Sequence, residues 1–435
     1  MIQVYKCVCA TLFVMAMFTN VNAQNEIGSY FLDGTWAARE LNLTDTLKGK
    51  IEVYLPGIYV ENHHNNRITL SDIITDNNGT NTLDFNNVIP QLENNNLLEN
   101  NLRVNSIGIA VKLNSFQIDL KHNIRLNSTI NYPRELVQLI FQGNAQFIGE
   151  TVDFAPAIDF NAYHEYSLGL SKQFGAFALG ARVKYLSGIG YLQTEQTEAS
   201  LFTDEDIFQL TFDTDYVLNT FNTVNIERVT DFTFRGDLTD NFFSVNDGIA
   251  FDFGASFNVS EKLRLSASIL DLGSINWNEE TQRFQSQGNF TFDGVDLDEF
   301  LLNDSVEFEI KLDTLEEVFE FNRTSTTAET NLNTQLYIAG QYKVNSKLSV
   351  GALIYFNDLG DGEAAAGLNG QYYFSNNLLL GINYSYRKDN FSNLGLQFST
   401  KLGPLILFGS TDNIINVISN ENYSSNGRLG IGLSF

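Results

Sequence analysis

The sequence predicts an all-β protein, a transmembrane antiparallel β-barrel of about fourteen strands. Three observations predict it. Bulky apolar residues recur at every second position in stretches of ~10 residues, the length that crosses a bilayer at a tilt. The positions between them carry Gly, Ser, Asn, Lys and Arg. Short turns then alternate along the chain with longer polar segments.

The chain opens MIQVYKCVCATLFVMAMFTNVNA: one cation, Lys6, an apolar run from Cys7 to Phe18, and the small-residue pattern Val21-Asn22-Ala23. That order predicts a cleaved secretory leader over 1–23, cut between Ala23 and Gln24. The apolar run is too short for a membrane anchor. Cys7 and Cys9 precede most of that run, which argues against a lipoprotein signal. Both leave with the leader, so a disulfide, a thiolate metal site or a cysteine nucleophile is not expected in the mature chain.

Residues 24–49 carry Tyr30, Phe31, Leu32, Trp36 and Leu41, too apolar for a free tail. They are expected to form a plug-like segment, with the barrel over 50–435. No linker rich in Pro, Gly or Ser divides the chain, and no further run approaches a membrane helix. With 32 Gly, 5 Pro, 35 Phe and 18 Tyr the composition favours strands and membrane interfaces. The net charge of −26 makes nucleic acid an improbable partner.

Strands are expected near 50–60, 103–112, 116–130, 163–172, 176–189, 249–258, 262–270, 334–344, 348–357, 364–374, 378–387, 391–400, 405–411 and 427–435. In one of them Leu378, Leu380, Ile382, Tyr384 and Tyr386 share a face opposite Gly381, Asn383, Ser385 and Arg387. Two further stretches, 212–246 and 283–312, also alternate, as outer hairpins or as wall strands. A soluble sandwich would alternate too, but its second face would be the solvated one and its connections would not sort by length. Here the short turns (Leu113-Asn114-Ser115, the stretch near Gln173, Val259-Ser260-Glu261, Asn345-Ser346-Lys347, Ser375-Asn376-Asn377 and Lys401 to Pro404) all fall on the side that holds the C-terminus. The closing NGRLGIGLSF sets Leu429, Ile431, Leu433 and Phe435 against Gly430, Gly432 and Ser434. Such a strand needs a partner for its edge and hydrocarbon for its bulky face.

Phe435, with apolar residues at every second position before it, resembles the C-terminal signal read by the outer-membrane assembly machinery. PRELVQLIFQGNAQFIGETVDF, YHEYSLGLSKQFGAFALGARVKYLSGIGYL and GIAFDFGASFNVSEKLRLSASILDLGSINW resemble a functionally uncharacterised family of outer-membrane barrels from gliding-type bacteria. That family is similar to FadL-type fatty-acid transporters and to the PorV-like barrel of the type IX secretion system, both fourteen-stranded. The resemblance implies a Gram-negative outer-membrane location among lipid, and an N-terminal segment that occupies the lumen as a hatch. It implies two functions: a conduit for hydrophobic or amphipathic anions, or a non-transporting anchor or shuttle that meets secretion or gliding proteins.

On the predicted lumen face the charges read mostly basic: Lys112, Lys121, Arg125, Arg182, Lys184, Arg264, Lys343, Arg387 and Arg428, against few acids such as Asp119 and Asp252. Two readings stand side by side. Either the cations receive an anionic ligand, or Asp33, Glu40 and Asp45 fold inward and pair with them. Pro133 to Phe141 has Pro where a helix begins and apolar groups at helical spacing. Its oily face caps the barrel mouth, or Leu136, Ile140 and Phe141 line an entrance for hydrophobic ligand. The acidic, aromatic segments 190–248 and 271–333 are solvated loops, or bind cations or a surface partner.

Nothing points to an enzyme. His63, His64, His122 and His164 are scattered, and no nucleophile elbow, zinc pair or phosphate loop appears. Asp293 to Glu299 lacks the glycine position and terminal Glu of a calcium loop. No metal or cofactor is expected.

Overall fold

The computed structural model describes residues 26–435 apart from 67, 69–73, 78, 79, 84, 223, 229, 230, 235–241, 293–321, 358–362, 376, 388, 389 and 415–423. The leader with its cleavage point, and the acidic run from Asp293, fall outside the described residues.

Fourteen antiparallel strands form one closed ring: β1 (Ile51–His64), β2 (Asn95–Leu113), β3 (Phe116–Pro133), β4 (Ala157–Phe174), β5 (Phe177–Thr203), β6 (Asp247–Asn258), β7 (Leu263–Trp277), β8 (Gln335–Lys343), β9 (Leu348–Asn357), β10 (Glu363–Ser375), β11 (Leu378–Arg387), β12 (Asn390–Leu402), β13 (Leu405–Thr411) and β14 (Ser424–Ser434). Each pairs with its neighbours in sequence. β1 pairs with β2 on one side and with β14 on the other, which abolishes the edge. Lys50 and Ile51 donate their N–H groups to the Phe435 carbonyl, and the Phe435 N–H donates to Ile51, so the last residue is tied into the closure.

All fourteen expected strands are present. Several run further outward than alternation alone suggested, β5 by more than a dozen residues. On that extension the segment 212–246 resolves into strand Leu210–Phe221, which pairs with β5 and then with strand Gln282–Phe292, in turn paired with Asn322–Ser325. These strands are therefore an outer sheet and not wall. The inner turns are tight, with Asn114, Gly175 and Gly403 in the left-handed region at φ 55°, 61° and 62°. Outer connections are long except after β9 and β11.

Outward residues alternate with inward ones as expected: Ile118 and Leu120 are exposed, while Gln117, Asp119 and Lys121 are buried. Leu429 is 58% exposed, Ile382 57% and Leu168 51%, a band of bulky groups that only hydrocarbon accommodates. Phe116, Phe174, Phe177, Tyr342, Tyr372 and Phe374 mark the inner rim of that band. Tyr166, Tyr185, Phe356, Tyr384 and Tyr386 mark the outer one.

Candidate functional site in the barrel interior

Residues 26–49 lie inside the ring. Helix α1 (Ile27–Tyr30) and helix α2 (Trp36–Leu41) are buried along their whole length. Thr35 caps α2, accepting from the Ala38 N–H at 3.4 Å. Ile27, Tyr30, Phe31 and Leu41 pack on Leu270, Tyr337, Leu353 and Tyr355. Leu32, Trp36, Ala37 and Leu47 pack on Tyr54, Ala110, Ile406 and Phe408.

Trp36 explains the two inward glycines of β14, Gly430 and Gly432. Its Nε1 donates to the Ile431 carbonyl at 2.9 Å. A Cβ at Gly430 would lie 2.5 Å from Trp36 Cζ2, and one at Gly57 the same distance. Gly430→Val is therefore expected to displace the indole and cost about 1–3 kcal/mol of stability, read as a lower temperature for loss of the compact, heat-modifiable band on electrophoresis.

The charges form two linked groups. In the first, Arg39 of α2 meets Asp119 at 2.7 Å, Arg182 meets Asp252 at 2.9 Å, Lys184 meets Asp252 at 2.7 Å and also Asp271, and Arg125 meets Glu165 at 2.7 Å and Asp271 at 3.0 Å. In the second, Arg428 meets Glu26 at 2.6 Å and Glu40 at 2.7 Å, and Arg103 meets Glu26 at 3.2 Å and Glu40 at 3.5 Å. The Asn123 amide bridges them, donating to Glu40 at 3.2 Å and Glu165 at 2.9 Å. Each charge is buried, so each needs its partner.

Of the two readings of the basic strand face, the open basic lumen needs correction: Glu165 and Asp271 on the wall and Glu26 and Glu40 from the N-terminal segment pair with the central arginines, Glu40 as the inward-folding reading expects. Lys121, Arg125, Arg182, Lys184 and Arg428 are brought together at the centre. Arg264 stands apart, pairing with Asp45 at 3.4 Å and Asp33 at 4.0 Å. Lys343 is exposed and Lys112 half-buried at the inner rim, outside the group. The Arg387 side chain lies outside the described residues.

Arg103 and Asp271 escaped the sequence reading because bulges reverse the parity of their strands. The register of β2 shifts between Asn105 and Ile107. Below it Gly108 and Ala110 face inward, above it Arg103 and Asn105 do. Asp271, at φ 63°, makes a similar switch in β7. Glu165 needed no such device: it shares parity with inward Ser167 and Ser171, a signal present in the sequence.

Above the N-terminal segment, Tyr59, Arg103, Arg125, Tyr163, Asp271 and Tyr337 line part of a cavity of about 50 Å³, room for a few waters. Its lining is polar, so this cavity is not an apolar channel.

A larger apolar groove of about 940 Å³ lies in the wall across β10–β14 and β1. Leu380, Ile382, Leu396, Phe398 and Leu429 form its sides, and Gln397, Ser410 and Arg428 its inner limit. It sits where β13 stops after seven residues. Above Thr411, side chains stitch the seam: Asp412 accepts from the Ile27 and Gly28 N–H groups at 3.1 and 2.8 Å, from Asn383 at 2.7 Å and from Asn426 at 3.0 Å.

Helix α3 (Arg134–Gln142) begins after Pro133 and ends at Gly143, φ 81°. Its Val137, Leu136 and Phe141 pack on Phe85, Ile89 and Tyr132, with Phe85 and Phe141 stacked at 3.7 Å. Leu136 and Phe141 are thus taken up by a local core and Ile140 points away, 41% exposed, so the three do not converge on an entrance.

Two histidines distant in sequence meet: His122 Nε2 lies 3.1 Å from His164 Nδ1 on the outward face, beside Tyr166 and Phe242. Among the described residues no three His, Cys, Asp or Glu side chains are grouped to hold a metal ion.

A closed fourteen-strand ring with a hydrocarbon-facing band and a packed polar interior is an outer-membrane β-barrel. The chain belongs to the Family of unknown function (DUF5723), whose model matches residues 43–412. No curated protein matches it. Among solved structures it is similar to a FadL homologue of Pseudomonas aeruginosa, at 12% identity and TM-score 0.46 over 93% of this chain and 94% of that one. It is similar to the toluene transporter TodX of Pseudomonas putida, at 8% identity and TM-score 0.43 over 96% of each chain. The toluene transporter TbuX of Ralstonia pickettii is a third, at 10% identity and TM-score 0.39, over 96% of this chain and all of that one.

Proposed function

We propose that the protein is a FadL-like conduit for hydrophobic or amphipathic compounds, with residues 24–49 as its plug and the wall groove as the apolar part of the path. The observation that supports this is the groove itself: outward Leu380, Ile382 and Leu429 line it and Gln397, Ser410 and Arg428 bound it, beside the Asp412 contacts that hold α1. Apart from Lys121 the interior cations are paired, so neutral compounds belong to the same proposal as anionic ones. The reading as a non-transporting component of secretion or gliding machinery draws on the filled interior. Under either reading the exposed Phe435 ring at the inner rim is what the assembly machinery would meet.

A groove-filling variant separates the two. A Cβ at Gly427, on the groove wall, meets nothing within 4 Å, so Gly427→Phe is the variant chosen to fill it. A deletion strain carrying this variant is expected to take up radiolabelled oleate or toluene at less than a tenth of the rate of one carrying the unaltered barrel. Equal uptake by both, or by the deletion strain alone, removes the conduit reading, and loss of surface cargo in that strain supports the other.

A further inference from the structure

We propose that the barrel interior binds one monovalent anion at Lys121. The charge count leads there. The first ion-pair group sets Arg39, Arg125, Arg182 and Lys184 against Asp119, Glu165, Asp252 and Asp271. The second sets Arg103 and Arg428 against Glu26 and Glu40. Both are neutral in sum. Lys121 belongs to neither. It is 3% exposed, and among the described residues its Nζ has neither a hydrogen-bond acceptor nor a carboxylate in salt-bridge contact. Neither of the two remaining buried wall carboxylates contacts it: Asp412 stands at the end of β13 with its oxygens taken by Ile27, Gly28, Asn383 and Asn426, and Glu52, at the start of β1, accepts from the Lys48 and Gly49 N–H groups.

The register places further donors in the same row as this ammonium. Across the wall Tyr54, Gly108, Lys121 and Ser167 occupy one row. The Ser167 hydroxyl, 1% exposed, has no partner among the described residues, and neither has that of Tyr54, also 1% exposed. Gly108 makes the room: a Cβ there would lie 2.7 Å from Tyr54 Cδ2 and 2.9 Å from Lys121 Cγ, so both side chains use the space it leaves. No carboxylate touches this buried ammonium, since Glu40, Asp119 and Glu165 act on it only through space and each is held by another cation, and an ammonium with hydroxyl donors on its own row is a recognition site for a small anion. Both a halide from solution and the carboxylate of an amphipathic solute have this chemistry. The proposal stands whether or not the barrel conducts.

The test uses the full-length barrel purified in detergent, with bromide as the probe. Crystals grown in bromide should show one anomalous peak at Lys121 Nζ, absent in Lys121→Met and weakened in Ser167→Ala. In solution the melting temperature should be higher in bromide than in gluconate at equal ionic strength, and Lys121→Met should melt at the same temperature in both. A co-purified carboxylic acid, identified by mass spectrometry and lost from Lys121→Met, would make the solute the source and keep the site. The proposal is overturned by a wild type with no peak, no acid and no halide dependence. A halide dependence that persists in Lys121→Met overturns it too. If Lys121→Met fails to fold, Lys121→Gln and the wild-type bromide map decide by the same criteria.

Discussion

Replacing Arg182 with Met is expected to lower the stability of the barrel by about 3–5 kcal/mol, the cost of removing one partner from a buried ionic group. Arg182 holds two layers together. Its guanidinium donates to Asp252 at 2.9 Å and lies 3.6 Å from Asp119, both on the wall. It also donates to the carbonyls of Glu40 and Arg39, each at 3.1 Å, and so binds the last turn of α2, where the helix leaves its carbonyls unpaired. The Met variant leaves two buried carboxylates short of charge and frees two carbonyls. Arg182→Lys is expected to recover little, because a point charge cannot reach four acceptors on two elements at once. Lys343→Met, at an exposed position on the inner rim, is the control and should stay within about 0.5 kcal/mol of the parent. Urea titration in detergent micelles measures all three. Equal midpoints for Arg182→Met and Lys343→Met would show that the interior charges are solvated instead of structural.

The ring was legible because a strand that faces hydrocarbon on one side and a packed lumen on the other repeats one signal for its whole crossing. Every expected strand, from 50–60 to 427–435, has its counterpart, and the tight inner turns follow. What alternation could not carry was parity across a bulge. Arg103, out of step with inward Gly108 and Ala110, faces the centre because the register slips at Asn105, while Lys112 keeps their parity and sits at the rim because β2 ends there. The outer sheet was equally hard to assign, since Leu210–Phe221 alternates as a wall strand does and only its pairing with Gln282–Phe292 sets it apart. Balance was partly legible: the reading that folds Asp33, Glu40 and Asp45 inward has Glu40 meeting Arg428 and Arg103, and Asp33 and Asp45 meeting Arg264, whereas Glu26, from the same N-terminal end, had no pattern in the sequence to mark it.

That origin in a separate segment makes deletion of residues 26–49 the second large effect. In planar bilayers the intact barrel is expected to show little conductance, because α1, α2 and their clusters fill the ring from Leu353 to Ile406. The deletion removes that filling and, with it, Glu26, Glu40 and Arg39 from the centre. The segment takes with it four carboxylates, Glu26, Asp33, Glu40 and Asp45, but only two cations, Arg39 and Lys48, so the interior is left two charges more positive. The opened pore should therefore shift toward anions, and the reversal potential in a salt gradient gives the sign directly. Arg428 and Arg103 lose both of their carboxylate partners, so the preference should drop when Arg428→Met is added to the deletion. A deleted barrel that folds yet stays closed would mean that the wall side chains themselves collapse into the space, and the role of the N-terminal segment would be to hold the ring's shape and not to seal it.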